Sequence, residues 1–245
     1  MKNKKILVLL LAIVMVVSVV VFAGCSSDKV GVAYGLVHGL GYVGQATITV
    51  DGEGKIKAAT LDEACFPSQV VLSVEEQAKL DKDDYSNFAG KHGATVGYKT
   101  VKFGTYTLVG DGITYKSGAK TIVELFADEV AAKAYFEAAK AGEVKAITKA
   151  GEVVLTAKQL LKSQNGYWGK PSEKQLGWQA NVDATCAYVV ANGFANITKL
   201  TLKDNSATNP KLENEWMDGT ISTGATWVDM LGYCKLLESA SKLAK

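Results

Sequence analysis

The stretch YVGQATITVDGEGKIKAATLDE, residues 42–63, constrains the fold more than any other part of the chain. Apolar and β-branched residues alternate with polar ones on both sides of DGEGK at 51–55, which is the pattern of two strands joined by a turn. The preceding GVAYGLVHG at 31–39 has the same strand character. The sequence therefore predicts an antiparallel sheet at the start of the folded chain.

Helical patterns dominate the later part of the chain. ADEVAAKAYFEAAKAGE predicts a helix that begins after Asp128 as N-cap, stops at Gly142, and carries an apolar stripe at Val130, Ala134 and Phe136 to Glu137 beside its lysines. GWQANVDATCAYVVANG predicts a second helix that ends before Gly193. A third helix is predicted after Thr226, and it carries apolar residues at helical spacing.

Together these patterns predict an α+β fold, with an antiparallel sheet and a C-terminal helix. The segment from about 65 to 200 reads as an inserted and mainly helical middle, although residues 97–115 again have strand character. No proline-rich linker divides the chain, which has three prolines in all. We therefore expect one domain over residues 30–245.

The N-terminus has the pattern of a bacterial lipoprotein signal. MKNKK is basic, the run from Ile6 to Ala23 is apolar apart from Ser18, and small residues precede Cys25 in VFAGC. These features predict a signal peptide over 1–24, lipid attachment at Cys25, and a polar tether over 25–29. The alternative is an uncleaved membrane anchor. Both place the remainder outside the cytoplasmic membrane, and the first anchors it by lipid to the outer face.

Composition excludes some classes of function. Loss of the three signal-peptide lysines from 27 basic residues leaves 24 against 25 acids, and the chain has no arginine. A nucleic-acid partner is therefore not expected. Three further cysteines at 65, 186 and 234 form no CxxC pair, and the histidines at 38 and 92 are far apart, so no metal site is predicted.

Two segments at opposite ends of the chain resemble the FMN-binding domain family. The first is the glycine-rich hairpin and turn; the matching residues are Gly39, Gly41, Tyr42, Gly44, Asp51, Gly54, Lys55 and Ile56. The second is the TGAT segment, Thr223 to Thr226, which matches the core of the family's Ser/Thr-Gly-Ala-Thr/Ser signature. The lipoprotein signal makes the chain similar to FMN-binding lipoproteins of Gram-positive bacteria, including those linked to extracellular electron transfer.

The resemblance implies that an FMN transferase joins FMN through its phosphate to the hydroxyl of Thr226. A helix start would present free N–H groups to that phosphate. Gly224 and Ala225 would keep the approach clear. The hydroxyls of Ser222 and Thr223 would donate to phosphate oxygens.

Other candidate contacts to the flavin follow from the same resemblance. The family has an aspartate six residues before the attachment threonine, where this chain has Thr220, and Asp218 is the nearest acid. Trp227 is a candidate to stack on the flavin ring. DEACFPSQ resembles a flavin-contacting loop and makes Glu63 and Pro67 further candidates.

The expected function is that of an electron carrier rather than an enzyme with its own substrate, and no catalytic residue is predicted. FMN would exchange electrons with a membrane quinol-linked donor and an extracellular acceptor. The alternative is a non-redox ligand-binding lipoprotein that has the fold without the flavin. A third hypothesis is that the tail of the signal, SVVVFAG, is released as a peptide pheromone.

Overall fold

The structure is a computed structural model. It describes residues 27–38, 41–67, 85–90, 93–96, 99–110, 115–148, 151–165, 176–204, 214–219, 221–227 and 229–245. Within these residues the fold is mixed, with antiparallel sheets and a C-terminal helix, as the α+β prediction requires.

The strands are β1 (Lys29–His38), β2 (Tyr42–Val50), β3 (Ile56–Cys65), β4 (Tyr85–Gly90), β5 (Gly93–Val96), β6 (Thr100–Phe103), β7 (Tyr106–Gly110), β8 (Tyr115–Ser117), β9 (Lys120–Thr121), β10 (Val144–Thr148), β11 (Gly151–Leu155), β12 (Thr201–Asp204), β13 (Asn214–Asp218) and β14 (Ile221–Ser222). The helices are α1 (Ile122–Phe126), α2 (Glu129–Ala141), α3 (Ala157–Leu160), α4 (Lys162–Asn165), α5 (Trp178–Asn192) and α6 (Met230–Leu243), with a short 3₁₀ helix at Ile197–Lys199.

The predicted hairpin is confirmed. Strands β1, β2 and β3 form an antiparallel sheet in that order. The turn before β3 is closed by Asp51, whose carboxylate accepts hydrogen bonds from the backbone of Glu53 at 3.0 Å and Lys55 at 2.9 Å. Gly54 takes a positive φ of 83°, which a glycine adopts without strain.

Helix α6 covers one face of the β1–β3 sheet, and α2 lies on the other. The approach of α6 is very close at both ends of β1. A Cβ on Gly31 would lie 2.0 Å from the carbonyl oxygen of Ala240, and one on Gly232 would lie 2.1 Å from that of Val37. Glycine at these two positions therefore allows the helix to rest on the strand.

In its described residues the inserted middle is mixed rather than simply helical, so the prediction was incomplete. It holds an antiparallel six-stranded sheet, in the order β11-β10-β6-β7-β8-β9, beside the helices. The strand character of residues 97–115 was the correct signal, and β10 and β11 extend it. These strands bury alternate residues such as Val101, Phe103 and Leu108 under α2. A helix alone would not supply that flat apolar surface.

Helices α2 and α5 are confirmed within a residue of their predicted limits. The Asp128 side chain accepts from the backbone of Val130 at 2.9 Å, and Gly142 ends the helix with φ 69°. Phe136 of the predicted apolar stripe is buried, whereas Val130 is 70% exposed, so the prediction was wrong for Val130. The buried face instead carries Ala132, Tyr135 and their neighbours.

Two apolar clusters lie on the two faces of the β1–β3 sheet. The aromatic core includes Phe66, Phe103, Tyr115, Phe126, Tyr135 and Phe136, with the inner face of the six-stranded sheet and α2. The C-terminal core includes residues of α5 and α6 packed on Ala33, Ala46, Ile48, Val50 and Leu61. Side chains along β2 alternate between the two cores. Val43 faces the aromatic core, whereas Ala46 and Ile48 face the C-terminal core.

Within the described part of the chain no helix is long and apolar enough to cross a membrane. The apolar run from Ile6 to Ala23 and the predicted lipid site at Cys25 lie outside those residues. Cys65, Cys186 and Cys234 are free and buried, as expected for cysteines that pack as small apolar side chains.

Candidate functional site

The TGAT segment lies between β14 and α6. It continues the antiparallel pairing of β14 with β13. The Thr223 N–H donates to the Trp216 carbonyl at 3.0 Å, and the Trp216 N–H donates to the Ala225 carbonyl at 2.9 Å. Gly224 adopts φ 74°, and Ala225 is fully buried. The segment is therefore held as an extension of the β13–β14 sheet.

The predicted position of the helix start was wrong. Helix α6 begins at Met230, with Asp229 as its N-cap residue and no side-chain cap hydrogen bond. The helix therefore starts after the TGAT segment, and neither Thr223 nor Thr226 caps it. Their donors and acceptors bind elsewhere in the fold, so the helix N-terminus does not present its N–H groups at Thr226.

The hydroxyls of Ser222, just before the TGAT segment, and of Thr223, its first residue, bond to groups nearby in the chain. The Ser222 hydroxyl donates to the carboxylate of Glu215, which is 1% exposed, and accepts from the Gly224 N–H at 3.1 Å. The Thr223 hydroxyl donates to the Trp216 carbonyl at 2.8 Å. These bonds fix the local turn of the chain at both residues.

The third hydroxyl, that of Thr226, is held by helix α5. It donates to Asn181 Oδ1 at 3.2 Å and accepts from the Leu176 N–H at 3.3 Å. Asn181 Oδ1 also accepts from the backbone N–H of Thr226 at 2.7 Å and of Trp227 at 3.2 Å. Thr226 is only 4% exposed as a result of this packing.

Trp227 connects the segment to Glu63 on β3. Its ring stacks on that of Tyr233, with centroids 4.0 Å apart and planes within 4°. The Tyr233 hydroxyl donates to Glu63, and the Trp227 indole donates to the Thr185 hydroxyl at 3.2 Å. Two residues predicted to contact flavin from opposite ends of the chain thus meet on one tyrosine.

Glu63 forms a buried ion pair. Lys162 Nζ lies 2.6 Å from Glu63 Oε1. The Lys162 side chain is 5% exposed and the Glu63 side chain is 0% exposed. The same ammonium lies 4.4 Å from the centre of the Tyr42 ring, within cation–π distance. A buried charge needs such a partner, because desolvation strongly disfavours an isolated ion.

Tyr233 and Cys65, which lie beside this ion pair, are held in their neutral forms. Burial raises the pKa of the Tyr233 hydroxyl, and the negative charge of Glu63 raises it further. Burial also raises the pKa of the Cys65 thiol to about 12, although the positive charge of Lys162 acts in the opposite direction. Tyr233 therefore remains a hydrogen-bond donor to Glu63, and Cys65 is not a nucleophilic thiolate at neutral pH.

Asp218 occupies a different position from the one that the resemblance implies. Its carboxylate accepts from the Tyr188 hydroxyl at 2.9 Å and from the Asn196 amide at 3.0 Å. Those bonds tie β13 to α5 and to the loop that follows it. The partners of the Thr226 hydroxyl are instead Asn181 and Leu176.

Pro67 lies apart from this cluster. It is buried at the end of β3, directly after Phe66, whose ring belongs to the aromatic core. Thr220, where the chain departs from the family pattern, lies outside the described residues. The described residues contain no group of histidine, cysteine and carboxylate side chains suited to a metal ion.

Sequence reasoning missed the residues that complete the site. Asn181 and Thr185 are polar interruptions on the buried face of a helix that is otherwise lined with apolar and aromatic residues, and Asn181 was the available signal. Lys162, Tyr233 and Glu215 had no signal of this kind, because lysine, tyrosine and glutamate are ordinary in their local sequences. Comparisons with protein-family models, curated proteins and solved structures gave no match to this chain.

Proposed function

We propose that this chain is a lipid-anchored flavoprotein on the outer face of the cytoplasmic membrane. It carries FMN joined through the phosphate to Thr226, and it passes electrons between a membrane quinol-linked donor and an extracellular acceptor. The observation that carries this proposal is the meeting of Glu63 and Trp227 on Tyr233, beside the TGAT segment. Two of the candidate flavin contacts, which are 164 residues apart in the chain, are thereby linked through one tyrosine.

The residues present fit the chemistry of FMN. Ser222 and Thr223 carry hydroxyl groups that would donate to phosphate oxygens once their bonds to Glu215 and to the Trp216 carbonyl are exchanged. Gly224 adopts a left-handed backbone in which a side chain would be strained. Trp227 supplies an aromatic ring beside Thr226. Bound FMN would supply the redox chemistry, and the chain would supply attachment, orientation and shielding from water.

A second function is favoured by one specific observation. The hydroxyls of Thr223 and Thr226 in the TGAT segment, and that of Ser222 before it, each have a protein partner already. This is what a purely structural segment would show, and it favours a ligand-binding lipoprotein without flavin. The two functions differ in whether the exported protein gains the mass of FMN.

The deciding experiment is intact mass measurement with in-gel flavin fluorescence on the denatured lipoprotein from its native host. We expect a mass gain of one FMN moiety that persists on denaturation. Thr226→Ala should abolish it, whereas Thr226→Ser and Thr223→Ala should retain it. An unmodified, colourless wild type would instead support the ligand-binding function, and flavin released on denaturation would show binding without a covalent bond.

A further inference from the structure

The Asn181 side chain makes an unusually complete set of hydrogen bonds for one amide. It is 3% exposed, and its oxygen accepts from three donors on Thr226 and Trp227. Its nitrogen donates to the carbonyl groups of Leu176 at 3.1 Å and Gly177 at 3.2 Å. One side chain therefore ties the TGAT segment to the start of α5.

The Thr226 hydroxyl is closed to chemistry in this arrangement. Its proton is directed at Asn181, and its oxygen accepts from the Leu176 N–H. A hydroxyl that attacks phosphorus needs a free lone pair and a base to receive its proton. With 4% of Thr226 exposed, an enzyme cannot bring either a phosphate or a base to that oxygen.

We infer that Asn181 acts as a latch that decides when the Thr226 hydroxyl becomes accessible. Release of its three accepted bonds frees both the backbone and the hydroxyl of the segment. The meaning of the latch for flavin attachment rests on the proposed function. The exposed hydroxyl would then bond to the phosphorus of a flavin dinucleotide. The O–H proton would pass to the transferase, and a nucleoside monophosphate would leave.

The latch can be tested without flavin through a cysteine at the same position. The full-length protein with Thr226→Cys is treated with N-ethylmaleimide, and peptide mass mapping measures labelling at residue 226. Adding Asn181→Ala should speed labelling by about tenfold, the scale expected when a set of buried hydrogen bonds is lost. Asn192→Ala is the matched control, because that amide, also on α5, donates only to the Tyr188 carbonyl at 3.0 Å.

The outcomes separate the latch from the proposed function. Equal labelling rates with and without Asn181→Ala would overturn the latch. Hydrogen exchange across α6 and β2 reports whether a variant has unfolded as a whole. If Asn181→Ala has unfolded, Asn181→Ser replaces it in the same comparison. In the chain with Thr226 intact, Asn181→Ala should also accelerate FMN attachment. Absence of FMN from every variant would reject the proposed function while the labelling rates still decide the latch.

Discussion

On one face of the β1–β3 sheet, the aromatic core packs Phe103 against Tyr135 with ring centroids 5.0 Å apart. On the other face, the C-terminal core surrounds polar groups. The buried polar and charged side chains that the structure describes are gathered on that side; they are Glu63, Lys162, Asn181, Thr185, Glu215, Thr223 and Thr226. Buried polar groups contribute less to stability than apolar ones of equal size, so we expect the two faces to differ in how much each contributes to the free energy of unfolding.

The largest effect should come from the aromatic core. Phe103→Ala removes a ring that is 1% exposed and contacts several others, and it should lower the free energy of unfolding by about 4 kcal/mol. Urea denaturation measures this loss. Maleimide labelling of Thr226→Cys in the native state should stay unchanged, because the latch lies on the other face. A loss below about 1 kcal/mol would show that this core does not carry the stability.

The buried ion pair should give the next largest effect. Lys162→Met leaves the carboxylate of Glu63 buried without its cation and should cost about 3 kcal/mol. The double variant Glu63→Gln with Lys162→Met should recover most of that loss, since no uncompensated charge remains. A double-mutant cycle in urea checks the coupling. Simple additivity of the two single losses would mean that the pair is not coupled as its geometry indicates.

Two glycines on the same face of β1 provide a matched test of the contact with α6. A Cβ on Gly31 would lie 2.0 Å from a backbone oxygen of the helix, whereas a Cβ on Gly35 would meet only the Leu236 side chain at 3.6 Å. Gly31→Ala should therefore cost about 2 kcal/mol through overpacking. Gly35→Ala should change stability by less than about 0.5 kcal/mol. Equal effects in thermal unfolding would show that the helix can shift away from the strand.

The parts of this fold that the sequence predicted are those with local signals. The turn at 51–55 and the helix limits at Asp128 and Gly142 depend on residues a few positions apart. The six-stranded sheet was underestimated because β10 and β11 follow a strong helix and are short. The pairing of β10 with β6 joins residues more than forty positions apart in the chain.

The candidate site depends even more on contacts between residues that are far apart in the chain. The hydroxyl residues and Trp227 could be selected from their sequence, but the position of Thr226 depends on Asn181, which is 45 residues earlier. A threonine before an amphipathic run ordinarily predicts a helix cap. Here a tertiary hydrogen bond competes for the same groups, and the helix begins at Met230 instead. Long-range partners of this kind leave no pattern in a single sequence.

The smallest predicted effect tests whether the two faces are independent. Asp128 caps α2 on the side of the aromatic core, so Asp128→Ala should lower the free energy of unfolding by about 1 kcal/mol. Asp128→Asn keeps an acceptor for the Val130 N–H and should cost much less. Neither variant should alter labelling at residue 226, because α2 and α5 pack on opposite sides of the sheet. Faster labelling in Asp128→Ala alone would show that the capped end of α2 is coupled through the sheet to the Asn181 latch, and the two faces would then have to be treated as one cooperative unit.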